Sequence, residues 1–367
     1  MIDITELYKT QISLSEWFEK ASLSLTENFR SEDNEKRERL KVLNKVAGTP
    51  FDQPAQFRAE DLSKKTAVFR DYLEKHGKEL CALRLIPQDL NLPKLRMRGQ
   101  TVKNVMKWFD EQKIDPLKYR AEFIPHSDNP VLSTIFVVNK KGVFGEVIAG
   151  GHYQLTQGFH DSGKPIAFKG DFKGNVYLSA ENSNIVTELK KIIKYLMVVD
   201  KNKKKILEKE PGCEFYENYI LGYFETITTK EFGLWFIDYN RVLGRMYERF
   251  ELDFTSSTNK GGIKGTTASR GVGQGKVRFI PINLLKEIEF SEGEVLVCEM
   301  TTPDYLPLMK KASAIVTKSG GILSHAAILS REMGKPCIVG IGESISMLSE
   351  GDLVKVNANI GIVEVLR

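Results

Sequence analysis

The 367-residue chain carries 53 lysines and arginines against 48 aspartates and glutamates, a formal net charge of +5, with 28% charged and 41% hydrophobic residues. This balance excludes a disordered chain, calls for no nucleic-acid partner, and leaves length for two or three domains with cores of their own. No apolar run reaches the ~18 residues of a membrane span, Met1–Thr10 lacks a signal-peptide pattern, and Cys81, Cys213, Cys298 and Cys337 lack metal-ligand spacing, so a soluble cytoplasmic protein is expected, without a membrane partner.

Residues 1–75 read as a helical, charged segment with Leu7, Ile12, Leu14, Trp17 and Phe18 as early apolar positions. No chemistry is assigned to it. From Leu80 short apolar runs alternate with turn residues, the pattern of mixed α/β structure. Ser133–Val138 and Gly145–Ala149 flank Asn139-Lys-Lys-Gly142 and predict a hairpin. Asn184 to about Glu210 predicts one long helix, with Ile185, Leu189, Ile192, Ile193, Leu196 and Met197 along one side. The basic run Lys201–Lys205 within it reads as a solvated helix end. Strands Tyr219–Thr226 and Phe232–Asn240 follow, and residues 251–264, rich in Ser, Thr and Gly, form the expected linker.

Three clusters carry chemistry. In the hairpin before the linker, Glu225 is expected opposite Asp238, with Asn240 on the Asp238 face and Arg241 at the strand end. Facing carboxylates repel unless a cation or proton lies between them, and hard oxygen ligands suit Mg²⁺. A sheet edge with a few polar residues is the alternative. Upstream, Arg84, Lys94, Arg96 and Arg98 place four cations within fifteen residues on a proline-bounded loop; they bind phosphate or are simply solvated. The Gly150–Gly158 segment with His152 reads equally as a phosphate-side loop and as a structural turn. The third cluster is Thr317-Lys-Ser-Gly320-Gly321-Ile-Leu-Ser324-His325. Ser324 is an N-cap, and a histidine at a helix start behind a glycine pair suits receipt of a phosphoryl group.

Residues 264–367 resemble the phosphohistidine domain of the phosphoenolpyruvate-utilising enzymes, which include phosphoenolpyruvate synthase, pyruvate phosphate dikinase and rifampin phosphotransferase. Four blocks carry the resemblance in order: Gly265–Val277, Gly293–Pro307, Thr317–Pro336 and Gly351–Val363. The resemblance puts the phosphorylated histidine on His325, with Thr317, Gly320, Gly321, Ser324 and Arg331 around it. Cys337 stands where the family more often has a small residue. The Glu225, Asp238, Asn240 triplet is similar to the metal-binding hairpin of the ATP-grasp fold, with Asp238 where glutamate is more usual. Ala121–Pro125 is similar to that fold's adenine-side strand, implying contacts from Glu122 and the Phe123–Ile124 backbone. Arg84 resembles a dikinase strand-end arginine, with Leu85-Ile86 replacing two serines, and Arg241 joins the implied nucleotide set.

The resemblance therefore implies an α/β (α+β) chain: a helical segment over 1–75, an ATP-grasp-like domain over 76–250, the linker, and a swivelling β/β/α phosphohistidine domain over 265–367. It implies a phosphotransferase using ATP and Mg²⁺, whose histidine takes the β-phosphoryl group while AMP leaves. No pyruvate-binding barrel follows, so the acceptor site is expected in residues 1–75, on a partner subunit, or as a small molecule between the domains. A nucleotide-binding regulator derived from such an enzyme is the non-enzymatic alternative.

Overall fold

Local signals in the sequence set most element boundaries. The computed structural model describes residues 26–89, 91–158, 163–252, 262–285 and 287–366. The apolar positions Leu7 to Phe18, His160 and most of the expected linker lie outside them. Helices α1 (Thr26–Asn34) and α2 (Lys36–Ala47) come first, and α2 ends on Gly48, whose φ of 77° is readily adopted only without a Cβ. Strand β1 (Ala55–Arg58) follows, so the expected helical segment also contributes to a sheet. The cause is pairing: β1 needs a partner strand to satisfy its backbone and finds one some sixty residues on.

Next come α3 (Ala59–Ser63), α4 (Ala67–His76), β2 (Leu80–Pro87), β3 (Leu95–Thr101), α5 (Val102–Glu111) and β4 (Tyr119–Pro125). These strands form an antiparallel sheet in the order β1-β4-β2-β3, backed by Leu62, Phe69, Val105 and Phe109. The second sheet begins with the expected hairpin, β5 (Pro130–Asn139) and β6 (Gly142–Ala149). It continues through α6 (Tyr153–Gln157), β7 (Ile166–Gly170) and β8 (Val176–Leu178). The single long helix expected next is instead two, α7 (Ser183–Lys194) and α8 (Lys201–Lys209). Val198 N–H leaves the helix to bond the Asn218 carbonyl at 2.7 Å, and the Asp200 carboxylate caps the new helix on the N–H groups of Asn202 and Lys203. Then β9 (Glu214–Tyr216), β10 (Tyr219–Thr229), β11 (Gly233–Asn240) and α9 (Arg241–Met246) complete a sheet ordered β11-β10-β5-β6-β7-β8, with β9 beside β10.

The C-terminal unit holds β12 (Ile263–Lys264), β13 (Thr266–Ser269), β14 (Val272–Phe279), β15 (Val295–Cys298), α10 (Leu306–Lys311), β16 (Ala314–Thr317), α11 (His325–Glu332), β17 (Cys337–Val339), β18 (Leu353–Asn357) and β19 (Ile362–Val365). Its eight strands run β12-β19-β18-β14-β15-β16-β17-β13, with β14 to β17 parallel and crossed over by α10 and α11. One apolar cluster joins this unit to the second sheet: Ile135, Val137 and Phe144 pack in the same core as Ile322, Leu323 and Leu329. Each such buried aliphatic side chain contributes about 1.5–3 kcal/mol. The loop before His325 is thereby set against the second sheet. Among the described residues no helix is long and apolar enough to cross a membrane.

Candidate active site

The loop between β16 and α11 is built from backbone and small side chains. Thr317 is buried, and its hydroxyl donates to the Ser319 carbonyl at 2.6 Å. Gly320 has a φ of 110° and lies against Gly158, where a Cβ would come within 2.8 Å of the Gly320 Cα. Ser324 caps α11: its hydroxyl accepts from Ala327 N–H at 3.4 Å and donates to the Gly321 carbonyl at 2.8 Å. His325 is the first residue of that helix. Arg331, one turn and a half further on, does not reach the same space. Its guanidinium lies over the rings of Tyr247 at 4.3 Å and Phe250 at 4.9 Å, so it serves the packing between the units.

His325 lines a cavity of about 420 Å³ whose other walls come from the first two sheets and from α1 and α2. Strands β10 and β11 pair Glu225 directly with Asp238: the Thr229–Gly233 turn would set Glu225 opposite Ile237, and a β-bulge between Glu225 and Thr226 shifts the register by one residue to Asp238. Tyr223 donates to Glu225 at 2.6 Å, and His152 Nε2 lies 2.9 Å from the same carboxylate. Lys36 Nζ stands 3.1 Å from Asp238 and 3.1 Å from Asp33. Burial alone would raise the Glu225 carboxyl, but the charges of His152 and Lys36 outweigh it and hold the group at about 2. Asp238 is raised, first by burial and then by Glu225, against the pull of Lys36. One acid driven down and its neighbour driven up is what two buried carboxylates sharing a site produce.

The basic wall of the cavity carries Arg84, Lys94, Arg96 and Arg98, and Ile124 lines it beside them. Lys94 pairs with the Asp33 carboxylate, while Arg84 Nη2 donates to the Asp33 carbonyl at 3.2 Å. The stretch to which no chemistry was assigned therefore supplies Asp33 and Lys36 to the cavity. Their only sequence signal is a charge run. His152, readable from sequence only as a turn or a phosphate-side loop, lies in the cavity wall.

Three expected residues are differently engaged. Glu122 is fully buried and its carboxylate is taken by Arg84 at 3.4 Å and Arg120 at 3.1 Å, which leaves no side chain for adenine. Arg241 grips Glu32 with bonds of 3.0 and 2.7 Å and donates to the Pro211 carbonyl, so it ties α1 to α9 instead of meeting nucleotide. Asn240 lines the cavity, but its Oδ1 accepts the Leu243 N–H at 2.8 Å and caps α9. His325 as a whole residue is only partly buried, while its ring Nδ1 is shielded from solvent. Desolvation in the cavity lowers its pKa to about 4, against an opposing pull from Glu225, so the ring is neutral at pH 7.

The family profile of the PEP-utilising enzyme, mobile domain, matches residues 290–361. The probable phosphoenolpyruvate synthase of Staphylothermus marinus is 51% identical over 102 residues, which cover 28% of this chain and 12% of that protein. The phosphoenolpyruvate synthase of Aeropyrum pernix is 44% identical over 101 residues, with the same 28% and 12% coverage. The chain thus spans a small part of the length of these curated relatives. The match to the D-alanine-D-alanine ligase of Coxiella burnetii covers 56% of this chain and 46% of that one at 9% identity, with a TM-score of 0.28. Over residues 290–361 the chain carries the mobile domain of the phosphoenolpyruvate-utilising enzymes, and His325 lies inside it.

Proposed function

We propose that this protein is an ATP-dependent phosphotransferase in which His325 takes the β-phosphoryl group of ATP and hands it to a second acceptor. The observation that supports this reading is that His325 shares one cavity with a facing carboxylate pair and a wall of lysine and arginine. Cations on that wall are placed to neutralise a polyphosphate, and Lys94 now pairs with an acid, Asp33, that phosphate oxygens would replace.

Mg²⁺ fits the carboxylate pair in one specific respect: Asp238 Oδ1 is buried with no hydrogen-bond partner. Among the described residues no group of three or more His, Cys, Asp or Glu side chains is arranged to hold a metal. Glu225 and Asp238 would hold the ion together with water and phosphate oxygens. When bound it would neutralise charge on the phosphates. The chain's own residues do the rest. The cavity keeps His325 neutral, so a ring nitrogen has a lone pair for the β-phosphorus. A nitrogen–phosphorus bond forms, the α–β phosphoanhydride breaks, and AMP leaves. The γ-phosphoryl passes to water or phosphate, and the β-phosphoryl stays on the ring.

The acceptor is a small molecule or a site on a partner subunit, and the names of the relatives make pyruvate the first compound to try. The same reading places the protein in a reducing cytoplasm, where its four buried cysteines stay as free thiols. Incubation with ATP labelled at the β position and Mg²⁺ tests the proposal. Acid-labile label on the wild-type chain, absent from His325→Ala, is expected. A wild-type chain that binds ATP and takes no label would reject it.

A further inference from the structure

A carrier loop has to be held in the nucleotide cavity while it reacts and has to leave afterwards. The contacts that hold this one centre on Glu146, which stands in the middle of β6 among Val143, Phe144, Val147 and Ile148, all buried. Glu146 is 7% exposed, in a strand position where the pattern calls for an apolar side chain. Burying a carboxylate there costs stability unless its oxygens are bonded. The compensation comes from the other unit: the carboxylate lies against Gly321, and the backbone N–H groups of Ile322 and Leu323 act on it electrostatically. Its Oε2 is buried with no hydrogen-bond partner. The approach is so close that a Cβ on Gly321 would collide with the carboxylate, which explains the glycine at that position. Tyr247 completes the grip by donating its hydroxyl to the Ile322 carbonyl at 3.1 Å, so one peptide unit of the loop is held from both sides.

We propose that Glu146 is the positioning residue that seats the phosphohistidine loop: by packing its carboxylate against the Gly321–Leu323 backbone it fixes how far the His325 ring enters the nucleotide cavity. The inference rests on the carrier role proposed for His325. A latch made of neutral backbone and one under-satisfied carboxylate is reversible, because water rehydrates both once the loop swings away.

The test compares the full chain with Glu146→Ala and Glu146→Gln in three measurements: amide hydrogen exchange in the 320–325 segment, labelling by β-labelled ATP, and labelling by phosphoramidate. Phosphoramidate phosphorylates histidine without needing a nucleotide site. In Glu146→Ala, exchange of the segment is expected to rise and ATP labelling to fall by about tenfold or more, the loss expected when the contact that seats the reacting group is removed. Phosphoramidate labelling stays at the wild-type level, which shows that the ring is intact. Glu146→Gln retains an accepting oxygen and recovers most of the ATP rate, which a purely structural role would not predict. Wild-type exchange and wild-type ATP labelling in Glu146→Ala would overturn the latch. If the wild-type chain takes label from phosphoramidate but none from ATP, the phosphotransfer reading falls. The exchange data then still decide the latch.

Discussion

The nucleotide cavity and the loop that enters it are built in opposite ways. The cavity is made of long charged side chains already paired with one another: Lys36 with Asp238, His152 with Glu225, Lys94 with Asp33. The loop is made of glycines, a capping serine and backbone amides, with one imidazole at its end. A site whose charges are paired at rest is stable without ligand and exchanges those partners for phosphate and metal when they arrive. The loop's 320–324 stretch, which presents backbone groups, carries no charge of its own to desolvate, so it can dock, leave and dock elsewhere at small cost. Rigidity in the cavity and reversibility in the loop would divide the labour of the proposed carrier.

Substitutions on the two sides should fail differently. The largest effect is expected in the cavity: Asp238→Asn lowers ATP-dependent labelling of His325 by about 10²–10³-fold, the range for losing one electrostatic contributor to a phosphoryl-transfer site. Labelling by phosphoramidate should be unaffected, and excess EDTA should mimic the variant. On the loop side, Gly321→Ala places a methyl group against the Glu146 carboxylate. Labelling should slow by roughly ten- to a hundredfold while equilibrium binding of ATP is unchanged, because the cavity is intact and only seating is lost. Arg241→Ala breaks a pair with a Glu32 carboxylate that is only 4% exposed. Chemical denaturation should show a loss of about 2 kcal/mol, with ATP affinity kept. A large fall in ATP affinity would return Arg241 to the nucleotide set.

The smallest effect sharpens the comparison most. In the docked state His325 titrates near 4 against an ordinary 6.5, and Glu146 near 7 against an ordinary 4.5. Docking therefore makes His325 release a proton and Glu146 take one up. As pH falls from 7, the first linkage weakens docking and the second strengthens it, by similar amounts. Wild-type protection of the 320–325 segment, corrected for intrinsic exchange, should change little down to about pH 5. In Glu146→Gln only the His325 linkage is left, and protection should decline as pH falls. A steep decline in the wild type would show that the opposing shift on Glu146 is absent.

What the sequence reveals follows how far its interactions reach. The Glu225–Asp238 hairpin is legible because a short turn joins its strands, although the turn alone would set Glu225 opposite Ile237 and a β-bulge beside Glu225 brings Asp238 there. The Ser324 cap is legible because it is a local hydrogen bond. The Lys36–Asp238 contact joins residues 202 positions apart, and nothing in a charge run announces it. Asn240 and Arg241 mislead because their side chains suit a metal or phosphate as well as the helix cap and the Glu32 pair that actually engage them. The long helix fails at Val198, where a tertiary backbone bond outweighs continuous helical periodicity. Glu146 did have a local signal, a carboxylate inside an apolar strand, but the Gly321 backbone it packs against lies some 175 residues on.

The central claim is that His325 receives the β-phosphoryl of ATP inside this cavity. The most direct test is a single-turnover incubation of the full chain with ATP and Mg²⁺, with nucleotides quantified and modification of the 320–331 peptide located by mass spectrometry under neutral conditions. One AMP formed per chain phosphorylated on His325, with neither in His325→Ala, is the predicted result. ADP as the nucleotide product, or AMP formed while His325 stays unmodified, would contradict it.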